Sequence, residues 1–304
     1  MTLTRRQTLA AAAAIPAAAL PRAAAADAHT GGAPARGELH RTLKMGGTEV
    51  ITLLDGSMPR EDPHSIFGLN VDDETFSEVS RDNFIPTDTA QFFFTPVVVR
   101  AGGNTILFDT GLGQGGLQSA MEGAGLAPSD VTHVVLTHMH PDHIGGLMTE
   151  GAPTFDGAEH IAGEVEMGYW AENPNDAVSA NVLPMRDRFT LVGDGAEIAP
   201  GITGMAAFGH TPGHMVYRID DGDQSMLIFA DTANHYVWSL AHPDWEVQFD
   251  MDKAMAAETR RRVLGMLAAE RMPMTGYHMP FPAAGFVQEE GDGFRWVPSS
   301  YQFL

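Results

Sequence analysis

The sequence predicts an α+β domain in which two β-sheets pack together and helices cover the outside. Strand-like and helix-like segments alternate irregularly along the whole chain, and β-hairpins are predicted in both halves. Since no repeat and no second linker follows residue 37, these elements are expected to form one domain. With 304 residues, of which 44% are hydrophobic, the chain can bury a large core.

Three segments open the predicted domain. Residues 48–56, TEVITLLDG, are a β-rich run that ends in a turn. An acidic, loop-rich insertion follows at 57–90, with helical character near its middle, and a long insertion of this kind often covers a functional site. Residues 91–111 contain two apolar β-rich runs separated by a Gly-Gly pair, which is the pattern of a hairpin.

The rest of the chain continues to mix helices with strands. Residues 117–125 are helical and end at a glycine. The run VTHVVLTH at 131–138 is too apolar to alternate, so it is predicted as a strand buried on both faces. Further strands are predicted at 158–163, 189–192, 203–208, 214–219 and 226–230, followed by the longest helix at 251–270 and a last strand from Met272. The basic run TRRRV within that helix is predicted to be a solvated face.

The N-terminus has the layout of a removable export signal. Arg5 and Arg6 precede an alanine-rich apolar stretch, and small residues end it near Ala26. The paired arginines resemble the twin-arginine type, which predicts a periplasmic or secreted protein. A disordered or anchoring helix is the alternative, although the stretch is short and interrupted by prolines for a membrane span. We therefore expect a signal at 1–26, a linker and the start of the mature chain at 27–47, and the domain at 48–304.

Composition excludes several classes of partner and site. The chain has 18 basic and 39 acidic residues, a net charge of −21, and the signal contains three arginines and no acid, so the mature chain would carry −24. Such a surface repels phosphate backbones and anionic membranes, so neither nucleic acid nor a membrane is an expected partner. Because there is no cysteine, histidine and carboxylate are the only strong metal ligands available.

One short segment, LTHMHPDHIGG, concentrates metal-binding side chains after a predicted strand. His138, His140, Asp142 and His143 fall within six positions. These residues are rarely core, because each buried polar group would need its own partner. Their nitrogen and oxygen donors suit zinc, iron or manganese better than calcium or magnesium.

Six residues cannot easily wrap one ion, so further ligands are expected at the ends of other strands. His214 follows a predicted strand and a Pro-Gly turn, and Asp231 and His278 each end an apolar strand. His210, four residues before His214, is interpreted as a turn histidine, with a supporting role as the alternative.

The ordered motifs HMHPDH, GHTPGH, LIFADT and GYHMPFP resemble those of the metallo-β-lactamase fold superfamily. The resemblance covers about residues 48–285 and implies a four-layer αββα sandwich with a two-metal site at one edge of the sheets. It places His138, His140 and His214 on one metal, Asp142, His143 and His278 on the second, and Asp231 between them. It also implies that Asp109, in LFDTG, does not bind metal itself but orients one of the metal-binding side chains.

Two divalent ions held in this way would generate a bridging hydroxide, since metal coordination lowers the pKa of water toward about 7. Zinc is the expected metal, with iron and manganese as alternatives. Asp142 and Asp231 are the predicted catalytic carboxylates, Asp142 by orienting the nucleophile and moving its proton. The resemblance thus implies a metal-dependent hydrolase.

Two hydrolase types fit best. The bridging Asp231 argues against a true β-lactamase, and the motif order resembles both N-acyl-homoserine lactonases and exported methyl parathion hydrolase-like enzymes. Hydrolysis of a neutral lactone or ester is the first hypothesis, and cleavage of a phosphotriester such as an organophosphate is the second. A di-iron redox or oxygen-handling protein of the same fold is an alternative from another class. A homodimer is also considered, because the 57–90 insertion could cap a neighbour's pocket.

The substrate pocket is expected to be apolar. Phe92 and Phe94 share one face of a strand, and Trp170 is predicted on a loop over the site. Lactonases often have a tyrosine three residues after the bridging aspartate, where this chain has Asn234. His235 or Tyr236 could take that role. For each of these aromatic residues, packing in the core is the competing interpretation.

Overall fold

Two seven-stranded β-sheets lie at the centre of the molecule. The computed structural model describes residues 38–303. In spatial order, the first sheet contains β1 (His40–Met45), β2 (Thr48–Leu53), β5 (Val97–Ala101), β6 (Asn104–Phe108), β7 (His133–Leu136), β10 (Glu159–Gly163) and β11 (Phe189–Val192). The second contains β12 (Glu197–Ala199), β13 (Ile202–Ala206), β14 (Met215–Asp221), β15 (Gln224–Ala230), β16 (Met274–Gly276), β17 (Ala284–Glu290) and β18 (Gly293–Pro298).

The remaining elements are two small ribbons and the helices. The ribbons pair β3 (Gly56–Glu61) with β4 (Thr89–Phe94), and β8 (Met148–Thr149) with β9 (Ala152–Pro153). The α-helices are α1 (Asp73–Asp82), α2 (Gly116–Gly123), α3 (Pro141–Ile144), α4 (Glu164–Glu172), α5 (Asp176–Asn181) and α6 (Lys253–Glu270). Short 3₁₀ turns occupy Pro63–Ser65, Pro128–Asp130 and Leu183–Arg188, and a π-helix spans Tyr236–Ala241. None of the helices within 38–303 combines the length and apolar character that crossing a membrane requires.

The space between the two sheets is filled by residues that alternate along the strands. In β5, Val97 and Val99 point into this central layer, whereas Val98 points to the other face of the same sheet. Tyr217 and Ile228 of the second sheet meet the central layer from the opposite side. The period of two along a strand therefore divides each apolar run between two separate cores.

Helices cover both outer faces. Leu117 of α2 and Met167 of α4 pack on the outer face of the first sheet. Val263 and Leu267 of α6 pack on the outer face of the second, against Phe229. The order of layers is thus helix, sheet, sheet, helix, and the predicted αββα sandwich is confirmed.

The 57–90 insertion is more ordered than its loop-rich composition predicts. It contains β3, α1 and the start of β4, and it buries an aromatic cluster that includes Phe67 and Phe76. Trp238 of the π-helix packs in the same cluster, and its indole N–H donates to Ser80 Oγ of α1 at 2.9 Å. The insertion is therefore attached to the body of the domain beside the motif that carries Asp231.

Two predicted boundaries need correction. β1 pairs along its full length with β2, so the domain begins by His40 and the predicted linker at 27–47 ends inside a sheet. The predicted run at 91–100 is divided at Thr95-Pro96, where the chain leaves the β3–β4 ribbon and enters the first sheet. The predicted signal at 1–26 lies outside the described residues.

Candidate metal centre

The candidate centre forms where several strands end at one edge of the sandwich. His138 lies two residues after β7, and Asp231 directly follows β15. His278 lies two residues after β16, which runs parallel to β15. Since the carboxyl ends of these strands lie at the same edge, the three side chains converge although they are far apart in sequence.

Asp231 lies at the middle of this group. Its Oδ2 atom is 3.1 Å from His278 Nε2, 3.3 Å from His210 Nε2 and 3.9 Å from His138 Nε2. Its Oδ1 atom is 3.4 Å from His143 Nε2. One buried carboxylate thus faces four imidazole rings, and its two oxygens point to different histidines.

His140 and Asp142 complete the group on its open side. His140 Nδ1 is 3.0 Å from His210 Nε2, and Asp142 Oδ2 is 3.4 Å from His278 Nε2 and 3.6 Å from His143 Nε2. Three sets of side chains have ligand atoms within 4.8 Å of one another, namely His138 with His140 and His210, His138 with His143 and Asp231, and Asp142 with His143 and His278.

Unpartnered polar atoms indicate that this group is suited to cations. His138 Nε2, His143 Nε2 and Asp231 Oδ1 are buried and have no hydrogen-bond partner. Buried polar atoms in proteins are nearly always paired, so three such atoms facing one space require an explanation. Imidazole nitrogen and carboxylate oxygen are ligands of zinc, iron and manganese, and the residues present therefore fit a pair of such ions.

Three of the imidazoles, those of His143, His210 and His278, are anchored at their opposite edge. His143 Nδ1 lies 2.8 Å from Asp109 Oδ2, His210 Nδ1 2.9 Å from Asp250 Oδ1, and His278 Nδ1 2.8 Å from the carbonyl oxygen of Phe93. Metal-binding histidines commonly donate their second N–H to such an acceptor, which fixes the ring orientation. Asp109, which the resemblance implies as an orienting residue, occupies this position behind His143.

The structure corrects the prediction for His214 and brings in His210 instead. Both ring nitrogens of His214 are already used, because Nδ1 lies 3.0 Å from the Ala207 carbonyl and Nε2 accepts the Asp231 backbone N–H at 3.1 Å. His214 therefore holds the Asp231 backbone in place rather than facing the cluster. His210, interpreted from the sequence as a turn histidine, is the member of GHTPGH that points at His138 and His140.

A sequence signal for His210 did exist. The other ligand-like residues follow the carboxyl ends of strands, and His210 follows β13, which ends at Ala206. His214 immediately precedes β14 and so lies at the start of a strand. Applying the strand-end rule with correct boundaries would have selected His210.

The charges in the cluster are strongly coupled. Burial alone would lower the pKa of His143, but the Asp231, Asp109 and Asp142 carboxylates outweigh it and raise that pKa well above its usual value. Burial also opposes ionisation of His210, yet hydrogen bonds to Asp231 and Asp250 raise its pKa to about 9. Burial would raise the pKa of Asp231, and the surrounding histidines hold it well below the usual range. The carboxylate at the centre thus favours the charged form of His143 and His210, whereas burial holds the pKa of His138 and His140 well below its usual value.

Glu166 joins the two loops that carry histidines. This side chain of α4 is 1% exposed, and its Oε1 accepts from the Met139 N–H at 2.8 Å and the Trp170 indole N–H at 2.7 Å. Its Oε2 accepts from the Thr211 hydroxyl at 2.8 Å and the Gly213 N–H at 2.9 Å. Burial raises the Glu166 pKa, and the hydrogen bonds from these four groups act in the opposite direction.

Glu166→Gln is expected to weaken metal binding by about 10- to 100-fold, the usual effect of losing a partner behind the ligands. The amide keeps the shape of the side chain, but its NH₂ group would face two donors and could accept from neither. Glu164→Gln, on the exposed face of the same helix, is the control. Competition against a chelator measures the affinity of both variants, and equal affinities would show that Glu166 does not position the loops.

A cavity of about 450 Å³ opens onto the cluster. It is lined by Met58, Arg60, Phe92, Phe94, Leu112, Gln114, His140, Pro141, Asp142, His210, Asp231, Phe249 and His278. Phe92 and Phe94 contact the His278 ring edge-on, each with ring centroids 5.5 Å apart. Both phenylalanines thus form part of the cavity wall. They lie on β4, which pairs with β3 of the insertion.

The other predicted pocket residues lie elsewhere. Trp170 is on α4 rather than on a loop, is buried in the outer core, and donates to Glu166. Asn234 is buried and donates from Nδ2 to Asp231 Oδ2 at 2.9 Å. His235 caps the π-helix by accepting from two backbone N–H groups, and Tyr236 packs against the neighbouring apolar clusters. Packing and hydrogen bonding within the domain therefore account for all four.

Comparisons with known proteins agree with this architecture. The sequence profile described as Metallo-beta-lactamase superfamily matches residues 95–284. Metallo-beta-lactamase domain-containing protein 1 of Xenopus laevis is 42% identical over 53 residues, which is 17% of this chain and 23% of that protein. The chain thus matches less than a quarter of the length of this curated relative.

Solved structures extend the similarity to most of the chain. AidC, a dizinc quorum-quenching lactonase in complex with a product, has 26% identity and a TM-score of 0.78, covering 87% of this chain and 99% of AidC. The hydrolase AbOPH of the beta lactamase superfamily has 22% identity and a TM-score of 0.80, covering 86% of this chain and 98% of AbOPH. Because AbOPH is only 22% identical to this chain, its similarity concerns the fold alone.

Proposed function

Since this chain belongs to the metallo-β-lactamase superfamily, we propose that it is a dinuclear metal-dependent hydrolase that opens a neutral lactone or ester. One cation would be held by His138, His140 and His210. The other would be held by Asp142, His143 and His278, with Asp231 between the two. The ligand set differs from the one expected from the motifs only in His210.

One observation carries the proposal. Asp231, which lines the cavity, has a buried oxygen without a hydrogen-bond partner, and the equally unpartnered Nε2 atoms of His138 and His143 face this carboxylate from behind. A structural cluster would satisfy its own polar atoms. Atoms left free beside an accessible cavity are instead what a reaction centre needs, because ions, water and substrate must all reach them.

When bound, a pair of divalent cations would supply activated water near neutral pH and polarise the oxygen of the scissile group. The protein's own residues fix this chemistry in place. Asn234 holds Asp231 Oδ2, and the Tyr277 hydroxyl donates to the Asp142 backbone carbonyl at 2.6 Å. The Asp142 side chain is 24% exposed and lines the cavity, where its carboxylate oxygen that is not bound to a cation can accept a proton from the nucleophile and return it to the leaving group. Phe92 and Phe94 exclude water from one side.

The part of the cavity beside the cluster favours a substrate whose reacting group is uncharged, because the phenylalanine and leucine side chains there would not solvate a charge. Lactones, simple esters and phosphotriesters all meet this condition. AidC is described as a lactonase bound to N-hexanoyl-L-homoserine, and this similarity ranks an N-acyl-homoserine lactone first. A phosphotriester is the second candidate, because its uncharged phosphoryl group would fit beside the same apolar side chains.

The test is a parallel assay of the zinc-loaded protein on N-hexanoyl-homoserine lactone, 4-nitrophenyl hexanoate and paraoxon. We expect lactone or ester hydrolysis, and His143→Ala should reduce it by at least about 10²-fold because a cation ligand is lost. His133→Ala, in the preceding strand and outside the cluster, is the control and should retain activity. Activity that survives His143→Ala unchanged would refute the proposed site.

Metal analysis of the same preparation separates hydrolysis from redox chemistry. The hydrolase proposal predicts two metal ions per chain and activity that chelation abolishes and zinc restores. Two iron atoms per chain with a reversible optical change on reduction, and no hydrolysis of any substrate in the panel, would instead identify an oxygen-handling protein of the same fold.

A further inference from the structure

The apolar wall of the cavity contains a single guanidinium group. β3 carries Met58 and Arg60 two residues apart, so both side chains lie on one face of the ribbon. Across the ribbon, Met58 pairs with Phe92 and Arg60 pairs with Ala90. Arg60 therefore continues the row of cavity-lining side chains outward from the His278 contact.

This arginine is positioned away from the bond that is hydrolysed. Phe94 and Phe92 both contact His278, and Arg60 pairs with Ala90, two residues beyond Phe92 and about 7 Å further along the strand. A substrate whose reacting carbonyl lies at the cluster would reach Arg60 only with a remote substituent. Arg60 is exposed, which places its guanidinium at the cavity mouth.

Within residues 38–303, the Arg60 guanidinium has no carboxylate partner. The salt-bridged arginines are Arg100, Arg188, Arg218, Arg260, Arg261 and Arg295. Gln114 lines the same cavity and offers a second side-chain donor. The chain has 39 acidic and 18 basic residues, so an arginine without a carboxylate partner is unusual on its surface.

We propose that Arg60 determines specificity by binding an oxygen acceptor on the part of the substrate remote from the scissile bond. A guanidinium presents five N–H donors in a rigid fork, which suits a carboxylate or an amide carbonyl. The proposal rests on the proposed hydrolase function and adds the substrate class, an ester or lactone with an acceptor-bearing acyl chain. The row of Met58 and Phe92 would contact the methylene groups between the two ends.

The test compares three 4-nitrophenyl esters with six-carbon acyl chains that end in a methyl group, a primary amide or a carboxylate. For Arg60→Met we expect KM to rise about tenfold, or ~1.4 kcal/mol, on the acceptor-bearing esters and to stay within about twofold on the methyl ester. The Met side chain keeps the bulk of the wall. Arg60→Lys should recover part of the loss on the carboxylate ester, where charge alone contributes.

Arg81→Met, on α1 of the same insertion, is the matched control and should leave all three KM values unchanged. A carboxylate as the natural acceptor predicts an effect that shrinks with added salt, whereas an amide predicts a salt-independent one. Equal KM changes on all three esters, or none, would overturn the role of Arg60.

Failure of the hydrolase proposal is distinguishable from failure of this one. Wild-type protein that cleaves none of the esters contradicts the hydrolase, and Arg60 is then tested by calorimetry with hexanoate and adipate. Adipate should bind about tenfold more tightly than hexanoate to wild type, and Arg60→Met should remove that difference. Equal binding of both acids to wild type would refute the acceptor site.

Discussion

Asp231→Asn is expected to lower kcat on the best substrate by about 10³-fold, or roughly 4 kcal/mol of transition-state stabilisation. The carboxylate faces imidazole nitrogens of His138, His143, His210 and His278 at 3.1–3.9 Å, so no other side chain in the cluster touches as many ligands. The amide removes the negative charge that holds these rings together and offers one acceptor oxygen instead of two. Metal content should fall below two ions per chain.

The control for this variant is Asp73→Asn, whose side chain is 99% exposed on α1. It should retain both metal content and kcat. The measurement is metal analysis by mass spectrometry together with steady-state kinetics at saturating zinc. Two ions per chain and an unchanged kcat in Asp231→Asn would rule out a shared ligand at this position.

Arg260→Met is expected to destabilise the fold by about 3–5 kcal/mol, the usual cost of removing one member of a buried ion pair. Arg260 and Asp250 side chains are each 1% exposed and lie 2.6 Å apart. Arg260 also donates to the backbone carbonyls of Thr232 at 2.9 Å and Pro243 at 2.8 Å. Methionine fills similar volume but removes the guanidinium from Asp250, which keeps only His210 as a charged partner, and removes the donors to these buried carbonyls.

The neighbouring arginine supplies a matched control. Arg261 pairs with Asp244 where both side chains are exposed, so Arg261→Met should cost no more than about 1 kcal/mol. Urea unfolding measures both variants, and Tm should fall by roughly 10 °C for Arg260→Met alone. Because Asp250 also anchors His210, Arg260→Met should weaken metal binding as well. Equal unfolding free energies for the two variants would contradict the assigned role of the buried pair.

Much of the fold was predictable because the strands carry strong local signals. Apolar runs bounded by turn residues located most of the strands in both sheets, and the crowding of His138, His140, Asp142 and His143 located the centre. Four strands of the two sheets were missed, namely β1, β12, β17 and β18, so the strand from Met272 is not the last. HRTLKM of β1 is mostly polar and alternates, and β1, β12 and β18 all lie at the edge of a sheet. Edge strands need less apolar surface, so composition alone marks them poorly.

The remaining errors concern which way a side chain points. His210 and His214 lie on one tight turn, and only the exact ends of β13 and β14 decide which ring faces the cluster. Arg260 and Arg261 are adjacent in a run predicted to be solvated, yet a helix turns about 100° per residue and buries one of them. Trp170 was predicted on a loop over the site, whereas the structure places it on α4 and pairs its indole with Glu166. Such choices depend on tertiary partners that no local pattern contains.

The β3–β4 ribbon and the proposed cation ligands come from separate parts of the chain. Met58, Arg60 and Phe92 belong to the insertion and its return strand, and none of the seven proposed ligands does. Side-chain substitutions on β3, at Met58 and Arg60, can therefore accumulate while β4 continues to anchor His278 through the Phe93 carbonyl. Over evolutionary time this separation would let related chains exchange one preferred acyl group for another while keeping the same reaction.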